Sequence, residues 1–306
     1  MESVAEMLTL FEPITFGDSS GDLGGHVHAS AENTSINTNS GSQTLIGDVH
    51  ALHGHAVGGD DTLSGSGFFP AILIGDAVSI TDHARGGDDD LSIGARPAPV
   101  ILGDAVTLSG HAEGGNDHID AAASVGVIAY GDAETMTDHA RGGNDLVEVS
   151  GGFSGDIFAY GDAKTLSGSA VGGDDTVTAS TASAGISTEI YGDGAELLDH
   201  AKGGNDRLIS GIGDDRMWGD AAVVAHTAQT GADTFVFAPN NGHDRVMDFE
   251  GGTDHIELNG FGFTKFSDIA NDIQYNADGA LITFDSSNSI AVVGVNHLSA
   301  EDFVFS

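Results

Sequence analysis

Residues 129–145 read AYGDAETMTDHARGGND, and residues 101–117 read ILGDAVTLSGHAEGGND, so nearly the same pattern recurs with a period of about 28 residues. It opens with a Gly-Asp pair and closes with a tetrad of Gly-Gly-Asx-Asp, where Asx is Asp or Asn. The Gly-Asp pairs recur at nearly this spacing and carry the aspartates Asp48, Asp76, Asp104, Asp132, Asp162, Asp193 and Asp220. A tetrad follows each of the first six pairs at one constant distance, the distance from Gly103 to Gly114, and the tetrads end at Asp61, Asp89, Asp117, Asp145, Asp175 and Asp206. Such regular self-similarity is the sequence signature of a repeat architecture.

Short apolar stretches lie between the glycine-rich points, for example AILI at 71–74, VIAY at 127–130 and IFAY at 157–160. They are rich in β-branched and aromatic residues and too short for helices, so they predict strands. One unit is too small to bury a core of its own, whereas stacked neighbours share one. The sequence therefore predicts an all-β fold, a parallel β-roll or β-solenoid of stacked units of about 28 residues, with glycines at the corners.

The amino-acid composition excludes several classes of protein and of metal site. The chain of 306 residues carries 9 Lys and Arg against 47 Asp and Glu, a net charge of −38, which excludes a nucleic-acid binder that neutralises phosphates. A hydrophobic content of 40% is too high for a disordered acidic tail. The absence of cysteine excludes disulfides and thiolate metal sites. No apolar run is long enough to span a membrane, and the N-terminus lacks the basic residues of a secretory signal peptide.

The tetrad aspartates are the first candidates for metal ligands. Stacked coils would place equivalent aspartates about 4.8 Å apart, in a column of like charges that opposes folding. A divalent cation between neighbouring coils would reverse that effect. Ca²⁺ suits such turns because it accepts carboxylate and backbone carbonyl oxygens in flexible geometry, whereas Mg²⁺ requires a strict octahedron. We therefore expect multiple Ca²⁺ ions on this column, with solvated turn residues as the alternative.

Residues 210–218, SGIGDDRMW, resemble the Gly-Gly-x-Gly-x-Asp-x-aliphatic-x nonapeptide of RTX (repeats-in-toxin, hemolysin-type) proteins, with Ser210 in the first glycine position. Asp206 lies nine residues before Asp215 and keeps the phase, and the other tetrads match the last five or six places. The resemblance implies that the tetrad aspartates and Asp215 are Ca²⁺ ligands. It implies the same, less directly, for the Gly-Asp aspartates, whose pairs match only the start of the motif. The unit of about 28 residues spans three nonapeptides, whereas the coil of that family uses two.

The C-terminal residues extend the resemblance. Residues 231–262 are similar to the segment that closes RTX β-rolls in secreted proteases and lipases, which implies Asp233 and Asp254 as further ligands and Asp244 and Asp248 as weaker ones. The chain ends LSAEDFVFS, which resembles the uncleaved signal that type I secretion systems read. The resemblance therefore implies a secreted bacterial protein, extracellular or at the cell surface, with the type I secretion machinery as a partner.

Histidines recur immediately before an alanine, at His55, His83, His111, His139 and His200, and Ser169 interrupts the series. One interpretation is a ladder of transition-metal ligands, because imidazole suits Zn²⁺ and Cu²⁺. The other, which we favour at this point, is a stacked polar column whose imidazoles pair with neighbouring carboxylates.

No catalytic motif of a metalloprotease, serine hydrolase or phosphate-binding enzyme is present, although composition alone does not exclude a glycosidase with paired carboxylates. Without a recognisable catalytic segment, we expect a secreted Ca²⁺-binding protein whose folding is driven by Ca²⁺. Its role would be structural, matrix or adhesion, with cell-surface or matrix polysaccharide as a candidate partner. The alternative is the secretion and folding module of an extracellular hydrolase, or a divergent enzyme. The expected organisation is an N-terminal cap or divergent first coil at 1–44, repeats at 45–232, and a capping and secretion-signal domain at 233–306.

Overall fold

Each repeat unit forms one coil of a parallel β-solenoid with three faces. In the coil that begins at residue 100, the strand Val100–Leu102 leads to a Gly-Asp corner, and Ala105–Leu108 follows it. A turn and a single bridging residue, Glu113, precede the tetrad, after which His118–Tyr130 begins. We call these the first, second and third faces. The computed structural model describes residues 3–11, 13–31, 33–37, 41–181 and 187–306, so parts of the predicted N-terminal cap, at 1–2, 12, 32 and 38–40, lie outside the described residues.

Equivalent strands of successive coils pair in parallel and in register, and the fold is almost entirely β. The first face contains Ile14–Phe16, Gln43–Ile46, Ala71–Ile74, Val100–Leu102, the ends of His118–Tyr130 and Leu146–Tyr160, Ser187–Tyr191, Asp214–Trp218, His243–Val246 and Ser289–Val293. The second face contains Asp22–Gly25, Val49–Gly54, Ala77–Ile80, Ala105–Leu108, Ala133–Met136, Ala163–Leu166, Gly194–Leu197 and Ala221–Val224. The third face contains Asn33–Asn37, Thr62–Gly67, Asp90–Pro97, the beginnings of His118–Tyr130 and Leu146–Tyr160, Thr176–Thr181, Arg207–Ser210, Thr234–Phe237, His255–Leu258 and Phe303–Phe305.

The solenoid encloses two separate hydrophobic cores. The main core lies between the first and third faces, where residues such as Ile101 and Ile119 are fully buried. The small core lies behind the second face, where Leu108 packs with the alanine that follows each histidine, such as Ala112. The chain passes from the main core to the small core at each Gly-Asp pair and returns at each tetrad. We call the narrow region between the two cores the waist.

The terminal segments of the chain pack against the solenoid in different ways. The helix Val4–Leu8 begins with a capping box of Ser3 and Glu6 and packs on the outward side of the first face beside Ile72 and Leu102. The backbone N–H of Val4 donates to Oε2 of the buried Glu134 over 2.9 Å, which anchors the helix to the fifth second-face strand. At the other end, Ile273–Asn276 and Gly279–Thr283 form an antiparallel hairpin that pairs with the last first-face strand. Short 3-10 turns lie at Phe266–Asp268 and Ala300–Asp302.

The parallel pairing of the third face continues beyond residue 232 through Thr234–Phe237, His255–Leu258 and Phe303–Phe305. The final segment of the chain is therefore a strand of the solenoid sheet. Within the described ranges, no helix is long and apolar enough to cross a membrane.

Candidate metal centre

Two columns of buried aspartates run through the waist, parallel to the solenoid axis. The Gly-Asp column contains Asp48, Asp76, Asp104, Asp132, Asp162, Asp193 and Asp220. The tetrad column contains Asp61, Asp89, Asp117, Asp145, Asp175, Asp206, Asp233 and Asp254. Every one of these residues is at most 4% exposed. The waist thus brings together the ligands predicted from the sequence, except Asp215 and the weaker candidate Asp244.

The tetrad column is held by hydrogen bonds that run between coils. The backbone N–H of Asp89 donates to Oδ1 of Asp117, and the N–H of Asp117 donates to Oδ1 of Asp145, each over 2.7 Å. The same bond repeats along the column as far as Asp233 and Asp254, at 3.0 Å. The second carboxylate oxygen, Oδ2, is buried and accepts no hydrogen bond in Asp89, Asp117, Asp145, Asp175, Asp206 and Asp233.

The Gly-Asp column ties the two sides of the waist together. Oδ1 of Asp104 accepts the N–H of Gly115 over 2.9 Å, and Oδ1 of Asp132 accepts the N–H of Gly143 over 2.8 Å. Because donor and acceptor are 11 residues apart in each case, this bond explains the constant spacing between the Gly-Asp pair and the tetrad. Oδ2 is again buried without a partner in Asp104, Asp132, Asp162 and Asp193.

The first Asx of the tetrad provides an internal comparison. It is exposed, and its side-chain oxygen accepts the N–H of the next coil, as when Oδ1 of Asn116 accepts from Asn144 over 3.0 Å. This position holds Asp, Asn, Ala or Thr in different coils, so it requires neither a charge nor a particular side chain. The second position is Asp in all eight coils, although Asn would accept the same N–H. A buried negative charge that is never replaced by its neutral isostere indicates that the charge itself is used.

Glycines leave oxygen-lined spaces beside both columns. A Cβ atom on Gly103 would overlap the carbonyl oxygen of Gly131 and Oδ2 of Asp117. A Cβ atom on Gly114 would overlap Oδ1 of Asp132 and Oδ2 of Asp104. Each coil therefore has one space where a carbonyl and a carboxylate converge, and another where carboxylates of consecutive coils converge.

The charges of the waist are not balanced by basic side chains. Burial raises the pKa of Asp117 well above its ordinary value, and the neighbouring carboxylates of Asp104 and Asp145 raise it further. Burial and the carboxylate of Asp220 raise the pKa of Asp233 to about 9. Among the described residues, the ion pairs of arginine lie at the surface, and none of them includes a waist aspartate. Protons or bound cations must therefore neutralise the waist.

The donor set of the waist suits a hard dication. Its unpartnered side-chain atoms are carboxylate oxygens with backbone carbonyl oxygens beside them, and Ca²⁺ takes both kinds of ligand at about 2.3–2.6 Å. In the part of the chain that the structure describes, no three His, Asp or Glu side chains converge as a ready metal site. An ion in the waist would therefore combine carboxylates of adjacent coils with backbone carbonyls, which the glycines leave accessible.

Asp215 belongs to a separate cluster at the corner between the third and first faces. Its N–H donates to Oδ1 of Asp244 over 2.9 Å, and Ser210 Oγ lies 3.2 Å from Asp215 Oδ2 and 2.9 Å from Asp244 Oδ2. Three buried oxygens of this cluster have no partner, namely Asp215 Oδ1, Thr188 Oγ1 and Asn241 Oδ1. Burial raises the pKa of Asp215 to about 6 and that of Asp244 to about 7.

The sequence analysis missed Thr188, Ser210 and Asn241 as members of this cluster. Thr188 is the register partner of Asp215, but its position holds a different residue type in neighbouring coils, so no repeated pattern marks it. The sequence analysis ranked Asp248 low, yet both oxygens of Asp248 accept backbone N–H groups, from Gly219 over 2.8 Å and from Asp220 over 3.2 Å. Asp248 therefore lies at the C-terminal end of the Gly-Asp column, where burial raises its pKa to about 7.

The recurring histidines stack as expected but do not pair with carboxylates. The rings of His26, His55, His83, His111 and His139 lie parallel with centroids 4.8–5.2 Å apart. The predicted carboxylate pairing is wrong, because Asp82 and Asp138 instead accept the backbone N–H groups of Gly54 and Gly110, over 3.1 and 3.3 Å. These aspartates occupy the left-handed region, at φ of 63° and 61°, where the neighbouring coils have glycine.

Comparison with models of known protein families gives no match for this chain, and comparison with curated proteins gives none either.

Proposed function

We propose that the waist is a stack of Ca²⁺ sites and that the chain is a secreted Ca²⁺-binding protein of the RTX type, whose folding the ions drive. One observation carries this proposal: in the described residues from Asp89 to Asp233, coil after coil buries a carboxylate oxygen that accepts no hydrogen bond. Burying an uncompensated carboxylate is costly, and a cation shared between coils removes that cost while it joins the coils.

The ligands would come from both columns. Oδ2 of a tetrad aspartate, such as Asp117, and the carbonyl of the next Gly-Asp glycine, Gly131, would hold an ion on one side of the waist. Carboxylates of consecutive Gly-Asp aspartates, such as Asp104 and Asp132, would hold an ion on the other side. The cluster of Asp215, Asp244 and Asn241 would hold a further ion at the third corner.

A Ca²⁺-dependent fold suits a secreted protein, which moves from the cell interior, where Ca²⁺ is scarce, to the outside, where Ca²⁺ is abundant. Without Ca²⁺, repulsion within the waist keeps the chain expanded, the state in which a chain passes a secretion channel. At millimolar Ca²⁺ outside the cell, ions bind only the folded form and stabilise it by mass action. The C-terminal LSAEDFVFS supports the same assignment through its resemblance to type I secretion signals.

We first propose a structural, matrix or adhesion role, because the solenoid is a long stack of parallel strands with a strongly acidic composition. The second proposal is a divergent hydrolase whose active site lies on the solenoid itself. One observation favours it: Asp120 and Glu148 are adjacent on the third face beside a shallow hollow of about 220 Å³. Turnover of a polysaccharide that disappears in Glu148→Gln would favour the second proposal over the first.

Counting bound ions tests the calcium proposal. Equilibrium dialysis of the purified chain at pH 7 is expected to give on the order of one Ca²⁺ per coil, with dissociation constants of about 10⁻⁴–10⁻³ M. Because burial raises the pKa values of the waist aspartates, binding should also release protons, which a pH-stat measures. Mg²⁺ at the same concentration is the control. Binding of no more than one Ca²⁺ per chain, or equal uptake of Mg²⁺, would contradict the proposal.

A further inference from the structure

The five stacked histidines, His26, His55, His83, His111 and His139, form what we call the imidazole ladder. Their rings are exposed on the outside of the small core, with interplanar angles of 2–8° between neighbours. The ladder lies outside the waist and does not depend on the calcium proposal.

The ring nitrogens of the ladder are available to a ligand. In the described part of the chain, no protein group hydrogen-bonds any ring nitrogen of the ladder. The nearest carboxylates in sequence, those of Asp82 and Asp138, are occupied by backbone N–H groups. The imidazoles therefore present unshared nitrogen donors to solvent at a spacing of about 5 Å.

The backbone does not require histidine at this position. Ser169 occupies it in the next coil and donates its N–H to Asp138 O over 2.6 Å, the same bond and distance that His111 makes to Asp82 O. Two residues further on, an exposed or half-exposed column has diverged in almost every coil, to Val57, Arg85, Glu113, Arg141, Val171, Lys202 and Gln229. Five consecutive histidines beside so variable a column indicate that the imidazole itself is used.

The chemistry of neutral imidazole points to a class of ion different from that of the waist. Nitrogen donors suit Cu²⁺, Zn²⁺ and Ni²⁺, whereas Ca²⁺ takes oxygen. Two nitrogens that share a Zn²⁺ ion at about 2.0–2.1 Å lie at most about 4.2 Å apart. Because the in-plane lone pairs of stacked rings run parallel, two neighbouring rings must turn toward each other to share an ion. The net charge of −38 raises the local concentration of dications around such exposed donors.

We propose that the imidazole ladder binds nitrogen-preferring transition-metal dications, each held between two histidines of adjacent coils, with water completing the coordination. Five rings in a row accommodate two ions. His200 holds none, because Ser169 and Thr227 occupy the equivalent positions in the coils on either side of it.

Two matched double variants test the proposal with Cu²⁺ as the probe. Both are made in the full chain with His28→Gln, since His26 and His28 are two residues apart and form a chelating pair of their own. His55→Gln with His111→Gln leaves no two ladder histidines adjacent. His26→Gln with His200→Gln removes the same number of imidazoles but leaves His55 to His139 intact. Calorimetric titration is performed in millimolar CaCl₂, which keeps oxygen sites filled, and circular dichroism verifies that both variants are folded.

The His28→Gln parent and the His26/His200 variant are expected to bind two Cu²⁺ ions each, with two equatorial nitrogens per ion in electron paramagnetic resonance spectra. The His55/His111 variant should bind Cu²⁺ on the order of tenfold more weakly, or more weakly still, because each ion loses one of its two imidazoles. Equal affinity of the two double variants would overturn the proposal, as would a parent protein that binds no Cu²⁺ or shows a single nitrogen per ion.

Discussion

Chelation of Ca²⁺ at pH 7.5 is expected to unfold the solenoid, with loss of the β signal in circular dichroism and its return when Ca²⁺ is restored. The reason is the waist, where fifteen aspartates are buried, and where burial and the neighbouring carboxylates raise the pKa of members such as Asp117. Each site contributes about 1.4 kcal/mol when free Ca²⁺ is about ten times its dissociation constant. Several such sites together are comparable to the net stability of about 5–15 kcal/mol that is typical of a folded protein.

The effect of chelation should depend on pH in a defined direction. The folded-state pKa values of the waist aspartates are raised above the unfolded value of 3.8, to about 6 for Asp220 and about 9 for Asp233. Between 3.8 and these values, the folded state holds protons that the unfolded state has released, so the stability of the Ca²⁺-free chain falls as pH rises. The chelated chain should therefore regain β structure near pH 4 and lose it as pH rises toward neutrality.

Mg²⁺ provides the control, since it should restore little of the signal at the same concentration. A chain that keeps its full β signal in excess chelator at pH 7.5, with the same urea midpoint as in Ca²⁺, would show that the waist needs no ion.

Replacement of Asp117 by Asn distinguishes a waist that binds a cation from one that does not, because the two predict opposite changes in melting temperature. Asn keeps the oxygen that accepts the N–H of Asp89 but removes the charge. If a cation is bound, the loss of a ligand should lower the melting temperature in millimolar Ca²⁺ by roughly 3 °C or more, which corresponds to about 1.4 kcal/mol for one site. If no cation is bound, the substitution relieves repulsion with Asp104 and Asp145 and should raise the melting temperature.

Asp88→Asn is the matched control. Asp88 is the first Asx of its tetrad, is exposed, and accepts the N–H of Asn116 over 2.8 Å through an oxygen that Asn also provides. Its replacement should change the free energy of unfolding by no more than about 0.5 kcal/mol. A stabilised Asp117→Asn protein beside an unchanged Asp88→Asn protein would contradict the calcium account.

The sequence repeat was sufficient to predict the solenoid, because the strands, corners and stacking all follow from one period. The columns of aspartates followed as well, since a residue at a fixed place in each coil must stack on its equivalents. The sequence did not reveal that the Gly-Asp pair and the tetrad meet across one waist. That contact depends on how the second face folds back, which brings Asp104 within 2.9 Å of the N–H of Gly115.

Features without a repeated residue type could not be predicted. Asp215 carries the best match to the nonapeptide, yet it lies apart from the waist, where it stacks on Thr188 of the preceding coil and donates its N–H to Asp244 of the next. The carboxylate pairing of the histidines was wrong because adjacency in sequence suggested it, whereas the left-handed backbone at Asp82 directs that carboxylate to the amide of Gly54.

Locating the bound ions in a crystal structure tests most directly whether Ca²⁺ neutralises the waist. Crystals grown in CaCl₂ and measured at a long X-ray wavelength should give a row of anomalous difference peaks along the waist, beside Oδ2 of the tetrad aspartates such as Asp117. Calcium at those points would establish that metal ions neutralise the buried charges. A well-ordered waist without such peaks, in which neighbouring carboxylates approach closely enough to share protons, would contradict the account.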